Sequence, residues 1–238
     1  MGGPPNSFHS GESRHESRPP ASCSITARFA GMDRTDNTAM SNEAWLVFGL
    51  GNPGPKYETT RHNIGQMVIA ELASRIGTTL TRTKLRANVG TGRLSTGSVP
   101  GLPGPRVVLA TSTGYMNESG GPVRALADFY GIDTDRIIAV HDDVDIPFDA
   151  IKAKLGGGEG GHNGLRSMTS VLGTKDYLRV RAGVGRPPGR QDTADYVLRP
   201  FTKDERATLS IFVSDLADAV EELINNGLTD MQQKYHSR

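Results

Sequence analysis

Three of the chain's six histidines, His62, His141 and His162, stand where α/β proteins do chemistry. Each lies beside a loop that follows an apolar run, or opens a helical pattern. An imidazole at a helix N-terminus faces the positive end of the backbone dipole, which disfavours the imidazolium and keeps the ring competent as a base near neutral pH. Acids gather in His141-Asp142-Asp143-Val144-Asp145. Such a cluster suits a divalent cation or a carboxylate that orients a histidine. The segment lacks the glycine and terminal glutamate of a calcium loop, so orientation of a histidine is the simpler chemistry. Carboxamides stand in three further loops: Asn52 in Gly49-Leu50-Gly51-Asn52-Pro53-Gly54, Asn117 in Gly114-Tyr115-Met116-Asn117-Glu118-Ser119-Gly120, and Asn163 after the glycines of residues 156–161. A base, a carboxylate and amide donors are what water needs to hydrolyse an ester. A covalent nucleophile is missing: the single cysteine, Cys23, lies near the N-terminus, and there is no Gly-x-Ser-x-Gly elbow. Direct attack by water is therefore expected.

The elements that must carry these groups follow from periodicity. Trp45-Leu46-Val47-Phe48, Val107-Val108-Leu109 and Ile137-Ile138-Ala139-Val140 read as buried strands. Residues 151–155 and 178–184 alternate apolar with charged residues or glycine and read as half-exposed strands. Helical spacing appears in Ile64, Val68, Leu72 and Ile76; in Val123, Leu126, Ala127 and Tyr130; in Leu165, Met168, Val171 and Leu172; and from Leu209 to Ile224, ending near Gly227. Strands alternating with helices predict a single α/β domain, a mixed twisted sheet flanked by helices. Residues 42–238 form that domain, and residues 1–41, polar and broken by prolines, are expected to be a disordered leader.

Composition narrows the class further. With 27 Lys+Arg against 26 Asp+Glu the net charge is +1, which argues against coating nucleic acid by bulk charge. One cysteine excludes an intrachain disulfide and an all-cysteine metal site. No apolar run is long enough to span a bilayer. The letters of Gly49-Leu50-Gly51-Asn52-Pro53-Gly54 match a dinucleotide fingerprint, but Pro53 removes a backbone N–H, Pro55 delays the helix, and no acid ends a second strand about 20 residues on. A tight strand-to-helix turn that presents Asn52 is the better account. Charge is uneven along the chain: residues 151–190 hold eight basic and two acidic side chains. Lys152 and Lys154, two apart, share a strand face, and so do Arg179 and Arg181. If the two strands are neighbours, the four cations form one strip for phosphates.

Taken together, Gly-Leu-Gly-Asn-Pro-Gly, Tyr57-x4-His62-Asn63, Tyr115-Met116-Asn117-x-Ser119-Gly120, His141-Asp142-Asp143-x-Asp145 and Lys152-x-Lys154-x-Gly-Gly-Gly-x-Gly-Gly-His162-Asn163-Gly164-Leu165 resemble the bacterial-type peptidyl-tRNA hydrolases over about residues 44–235. The resemblance implies a monomeric, cytoplasmic α/β esterase without cofactor or metal. Its substrate would be the ester joining a peptide to the 3′ end of tRNA. It also implies that His62 is the general base and that Asp142 holds it in its basic form. Asn52 would discriminate blocked from free aminoacyl ends, while Tyr57, Tyr115, Asn117 and Asn163 contact the tRNA 3′ end or the peptide. Independently of the resemblance, the strip read from strand spacing makes Lys152, Lys154 and Arg181 the cations expected to face tRNA. Two positions depart from the family pattern: Gly114 stands where a proline is expected, and Asp149 where a glycine is expected.

Overall fold

The computed structural model describes residues 1–3, 44–95 and 104–236. Among them, seven strands form one mixed sheet: β1 (Ala44–Gly49), β2 (Thr81–Arg82), β3 (Ala87–Arg93), β4 (Arg106–Ser112), β5 (Ile137–Asp143), β6 (Ile151–Leu155) and β7 (Leu178–Gly183). Their order across the sheet is β2-β3-β4-β1-β5-β7-β6. The middle four, β4, β1, β5 and β7, run parallel, flanked by antiparallel β3 and β6, and β2 pairs antiparallel to β3 at one edge. The apolar runs in β1 and β5 are buried on both faces, as strands sandwiched between helices require. Helices α1 (Ile64–Arg75) and α5 (Lys203–Tyr235) cover one face, and α2 (Gly120–Tyr130) and α3 (Asn163–Leu172) the other. A short α4 (Thr193–Val197) precedes α5. The chain divides into two units, Met1–Arg34 and Thr35–Arg238, and every described strand and helix belongs to the second. The leader expected over residues 1–41 lies outside the described residues, apart from residues 1–3.

Each helix and strand expected from periodicity is present. The sequence pattern missed β3, because Gly90 and Gly92 break its apolar alternation. In the fold their bare Cα positions accept the side chains of Thr78 and Ile76 instead. β7 is not half-exposed: Arg179 and Gly183 are buried along with its apolar residues. The long helix does not end at Gly227, which adopts φ 88° and kinks it, after which Leu228, Met231 and Tyr235 continue the apolar face. The last turns also close the β6 edge. The Ala153 N–H donates to His236 Nε2, and Gln232 Nε2 donates to the Ala153 carbonyl, each at 2.9 Å.

Two glycines decide how near the helices come to the strand ends. A Cβ on Gly49 would lie 2.3 Å from the Gly65 carbonyl oxygen, and one on Gly65 would lie 2.3 Å from that of Val140. The first turn of α1 therefore packs backbone against backbone on β1 and β5. This close approach brings the residues just before α1 to the C-terminal end of β5.

The two departures from the family pattern are accommodated differently. Gly114 lies beneath the exposed Arg86–Glu118 ion pair, and a Cβ at this position would meet the flexible ends of those two side chains first. Asp149 is a non-glycine residue at φ 71°, and its carboxyl is pushed up by partial burial and by Asp215. Left-handed backbone costs a non-glycine residue roughly 1 kcal/mol or more, partly offset by the entropy a glycine would lose. Asp149→Gly is accordingly expected to stabilise the protein by about 0.5–1 kcal/mol, a rise of a few degrees in Tm. A thermal melt showing no gain would mean that the Asp149 side chain compensates its own strain.

Candidate active site

A cleft of about 1040 Å³ opens at the C-terminal ends of β1, β4 and β5, where the chain leaves β1 towards both sides of the sheet. Open α/β sheets place their ligands at such switch points. Its walls hold Asn52, Tyr57, His62, Tyr115, Asn117, Asp142, Lys154, Asn163 and Arg181, all named from sequence. Lys152 is half-buried on β6 and does not line the cleft.

The three histidines surround Asp142, but they are not equivalent. His62 Nδ1 lies 2.9 and 3.0 Å from the two Asp142 oxygens. His162 caps α3: its Nδ1 accepts the N–H groups of Gly164 and Leu165, so the ring proton sits on Nε2, which donates to Asp142 Oδ1 at 3.0 Å. His141 Nδ1 donates to the Asp142 carbonyl at 2.7 Å, and its Nε2 is buried without a partner among the described residues. Only His62 therefore keeps a ring nitrogen, Nε2, free to meet a water in the cleft.

The same bonds argue against a metal at this cluster. The donor atoms of His62, Asp142 and His162 lie within 4.8 Å of one another. Coordination would need the His162 Nε2 lone pair, and the two backbone N–H groups on Nδ1 hold the proton at Nε2. The donor set therefore does not suit a cation.

Electrostatics follow the geometry. Burial pulls the His62 imidazole down, but the adjacent Asp142 carboxylate outweighs it and the net shift is upward. Burial pushes Asp142 up, yet His62 and His162 hold it far below the usual carboxylate range. Burial, and next the neighbouring His162, hold His141 well below an ordinary histidine.

Asn52 is fixed from three sides. Its N–H donates to Asn63 Oδ1 at 2.9 Å, Asn63 Nδ2 donates to its carbonyl at 2.8 Å, and its own Oδ1 accepts the Met116 N–H at 2.9 Å. The Asn52 Nδ2 group makes no hydrogen bond among the described residues and remains available to a ligand. Asn63 is thus a positioning residue that the motif contained without revealing its purpose. Asn117, in the short helical turn Met116–Glu118, and Asn163, first residue of α3, are exposed on the cleft rim, as is Tyr115.

The cation strip exists only in part. β6 and β7 are neighbours, with Lys152 opposite Arg181 and Lys154 opposite Arg179. Arg181 Nε donates to Asp143 at 2.8 Å and stays partly exposed. Arg179 is fully buried and points to the glycine loop, not to solvent. Arg186, also on the cleft, pairs with Asp145. The far wall of the cleft comes from α4 and Leu198, which sequence patterns did not single out. Arg61 ties that wall to the His62 turn. Its guanidinium donates to the Pro200 carbonyl at 2.9 Å and to Glu205, and stacks over Tyr196.

The fold and cleft define a class: a three-layer α/β protein with a cleft at the C-terminal ends of its central strands, where a histidine is paired with a buried carboxylate. Comparison with known proteins makes the class specific. The family model described as "Peptidyl-tRNA hydrolase" matches residues 46–238. The peptidyl-tRNA hydrolase of Pseudarthrobacter chlorophenolicus is 59% identical over 194 residues, 82% of this chain and 96% of that protein. That of Kineococcus radiotolerans is 55% identical over 197 residues, covering 82% and 98%. A solved structure of peptidyl-tRNA hydrolase from Acinetobacter baumannii, 31% identical, superposes with a TM-score of 0.66 over 81% of this chain and 95% of that one. The chain belongs to the peptidyl-tRNA hydrolase family and is an enzyme that hydrolyses peptidyl-tRNA.

Proposed function

We propose that His62 is the general base of this hydrolysis and that the catalytic domain is residues 42–238, with residues 1–41 an appendage. The observation that carries the assignment is the His62–Asp142 pair, with His62 Nε2 the one nitrogen among the three histidines at Asp142 that is free to face the cleft. Asp142 accepts the Nδ1 proton and so presents the Nε2 lone pair. Nε2 takes a proton from water as the oxygen attacks the ester carbonyl. The tetrahedral oxyanion accepts a hydrogen bond from Asn52 Nδ2, whose orientation is set before substrate arrives. When the intermediate collapses, the His62 imidazolium returns its proton to the departing ribose 3′ oxygen, leaving free tRNA and the peptide's carboxylic acid, which then ionises to solvent. The exposed amides of Asn117 and Asn163, with the rings of Tyr57 and Tyr115, hold the peptide and the tRNA 3′ end. The enzyme acts as a cytoplasmic monomer, a reading compatible with described helices none of which is long and apolar enough to cross a membrane. Single-turnover cleavage of N-acetyl-aminoacyl-tRNA, compared with the free aminoacyl form, tests the function. Cleavage of the blocked ester alone is expected, and equal rates would remove Asn52 from discrimination.

Lys154 and Arg181 bind backbone phosphates of the acceptor stem, and Lys152 lies beside them on the same face. Lys154→Ala is expected to raise KM for full-length tRNA and to lower the salt slope by roughly one unit. Cleavage of a minimal 3′-end fragment should stay near wild type. Equal loss of turnover on the fragment would place Lys154 in the catalytic machinery. Arg181→Ala should behave similarly, with an added effect from freeing Asp143.

A further inference from the structure

Charged side chains are almost never fully buried unless paired. Arg179 is fully buried and forms no ion pair with any described residue. Its Nη1 donates to the Gly158 carbonyl at 2.8 Å and its Nη2 to the Gly157 carbonyl at 2.9 Å. Its guanidinium lies 4.7 Å from the centre of the Tyr177 ring, and its Nε has no partner among the described residues. The carbonyls it holds belong to the glycine loop, in which Gly156, Gly157, Gly160 and Gly161 all have positive φ. A loop of this composition has little conformational preference of its own. Yet it must deliver two residues accurately: His162, whose N–H donates to the Glu159 carbonyl and whose ring donates to Asp142, and Asn163 on the cleft.

We infer that Arg179 is a positioning residue for the catalytic centre: its guanidinium holds the Gly157–Gly158 backbone and thereby sets His162 against Asp142 and Asn163 in the cleft. A guanidinium suits this task because its planar fork offers two separate nitrogens, in fixed geometry, to two successive carbonyls, whereas an ammonium offers its donors from a single nitrogen on a flexible stem. Glu159, braced by Lys175 at 3.4 Å, steadies the next residue of the loop from outside. This assignment separates Arg179 from its strand neighbours Lys154 and Arg181, whose partly exposed side chains can meet tRNA. It rests on the proposed roles of His62 and Asp142.

The pH–rate profile supplies a readout that mere stability does not move. The titratable groups around Asp142 are His62, His141 and His162, with the Asp143–Arg181 pair next along β5. If the loop loosens and His162 no longer donates to Asp142, the carboxylate acts more fully on His62. The His62 imidazolium is then favoured, and the acid limb of the profile moves to higher pH. Arg179→Met and Arg179→Lys are compared with wild type on N-acetyl-aminoacyl-tRNA and on the 3′-end fragment. Arg179→Met is expected to lower kcat about 10–10²-fold on both substrates, with an upward-moved acid limb and an unchanged salt slope for KM. Arg179→Lys, which keeps the charge but gathers its donors on a single nitrogen, should recover part of kcat and serves as the folded variant if Met does not fold. Normal kcat on the fragment with a flattened salt slope would overturn the inference, because Arg179 would then be a phosphate contact. A melting loss in either variant with normal kcat and an unmoved acid limb would overturn it too. Failure of the proposed function looks different: wild type would spare the blocked ester, or His62→Ala would cleave it.

Discussion

Replacing His62 with alanine is expected to slow cleavage of N-acetyl-aminoacyl-tRNA by ~10²–10⁴-fold, the range for loss of a general base. Neither of the other two histidines at Asp142 can take its place. His162 uses both ring nitrogens, one as the cap of α3 and one on Asp142, and the free nitrogen of His141 is buried. The fold should survive, because the Asn63–Asn52 bonds and the Arg61 contacts that hold this turn do not pass through the imidazole. Tight binding of tRNA with negligible turnover, measured on the folded variant, is the expected pattern. A variant that turns over at near the wild-type rate would refute the assignment of the base.

The second large effect is expected at Asp142. In Asp142→Asn, the fixed Nε2–H of His162 selects the amide oxygen, so the NH₂ group faces His62 Nδ1. An N–H directed at Nδ1 favours the tautomer with the proton on Nε2, which cannot accept one from water. A loss on the order of 10²-fold on the pH plateau follows, smaller than that of His62→Ala because the base is misprotonated and not removed. The pH dependence has a definite sign. In the proposed mechanism neutral His62 is the active form, and the carboxylate raises its pKa against the pull of burial. Without the carboxylate, burial remains and the pKa falls. The acid limb of kcat/KM should therefore move to lower pH, opposite to the shift expected for Arg179→Met. Nitrogen NMR of the histidine side chains would read the tautomer directly. A wild-type rate and profile would remove Asp142 from the mechanism.

Much of this protein was legible in its residues because the relevant physics is local. Apolar runs such as Leu46-Val47-Phe48 and the helical spacing of Ile64, Val68 and Leu72 predict strand and helix wherever they pack. Residue chemistry and order likewise marked the cleft: every residue expected to serve catalysis or the tRNA 3′ end lines it. What tertiary structure alone decided is which of several similar groups does what. Three histidines near one carboxylate look alike in sequence. They differ because the N–H groups of Gly164 and Leu165 fix one tautomer and burial isolates another ring, leaving one free nitrogen. Period-2 spacing put Arg179 and Arg181 on one face, but it cannot say that the glycine loop covers the first and leaves the second partly open. The purposes of Asn63, Arg61 and Gly65 depend on contacts with residues far along the chain or on another element. Spacing records only the periodicity of one segment, whereas burial and hydrogen-bond partners are set by the segments that meet it.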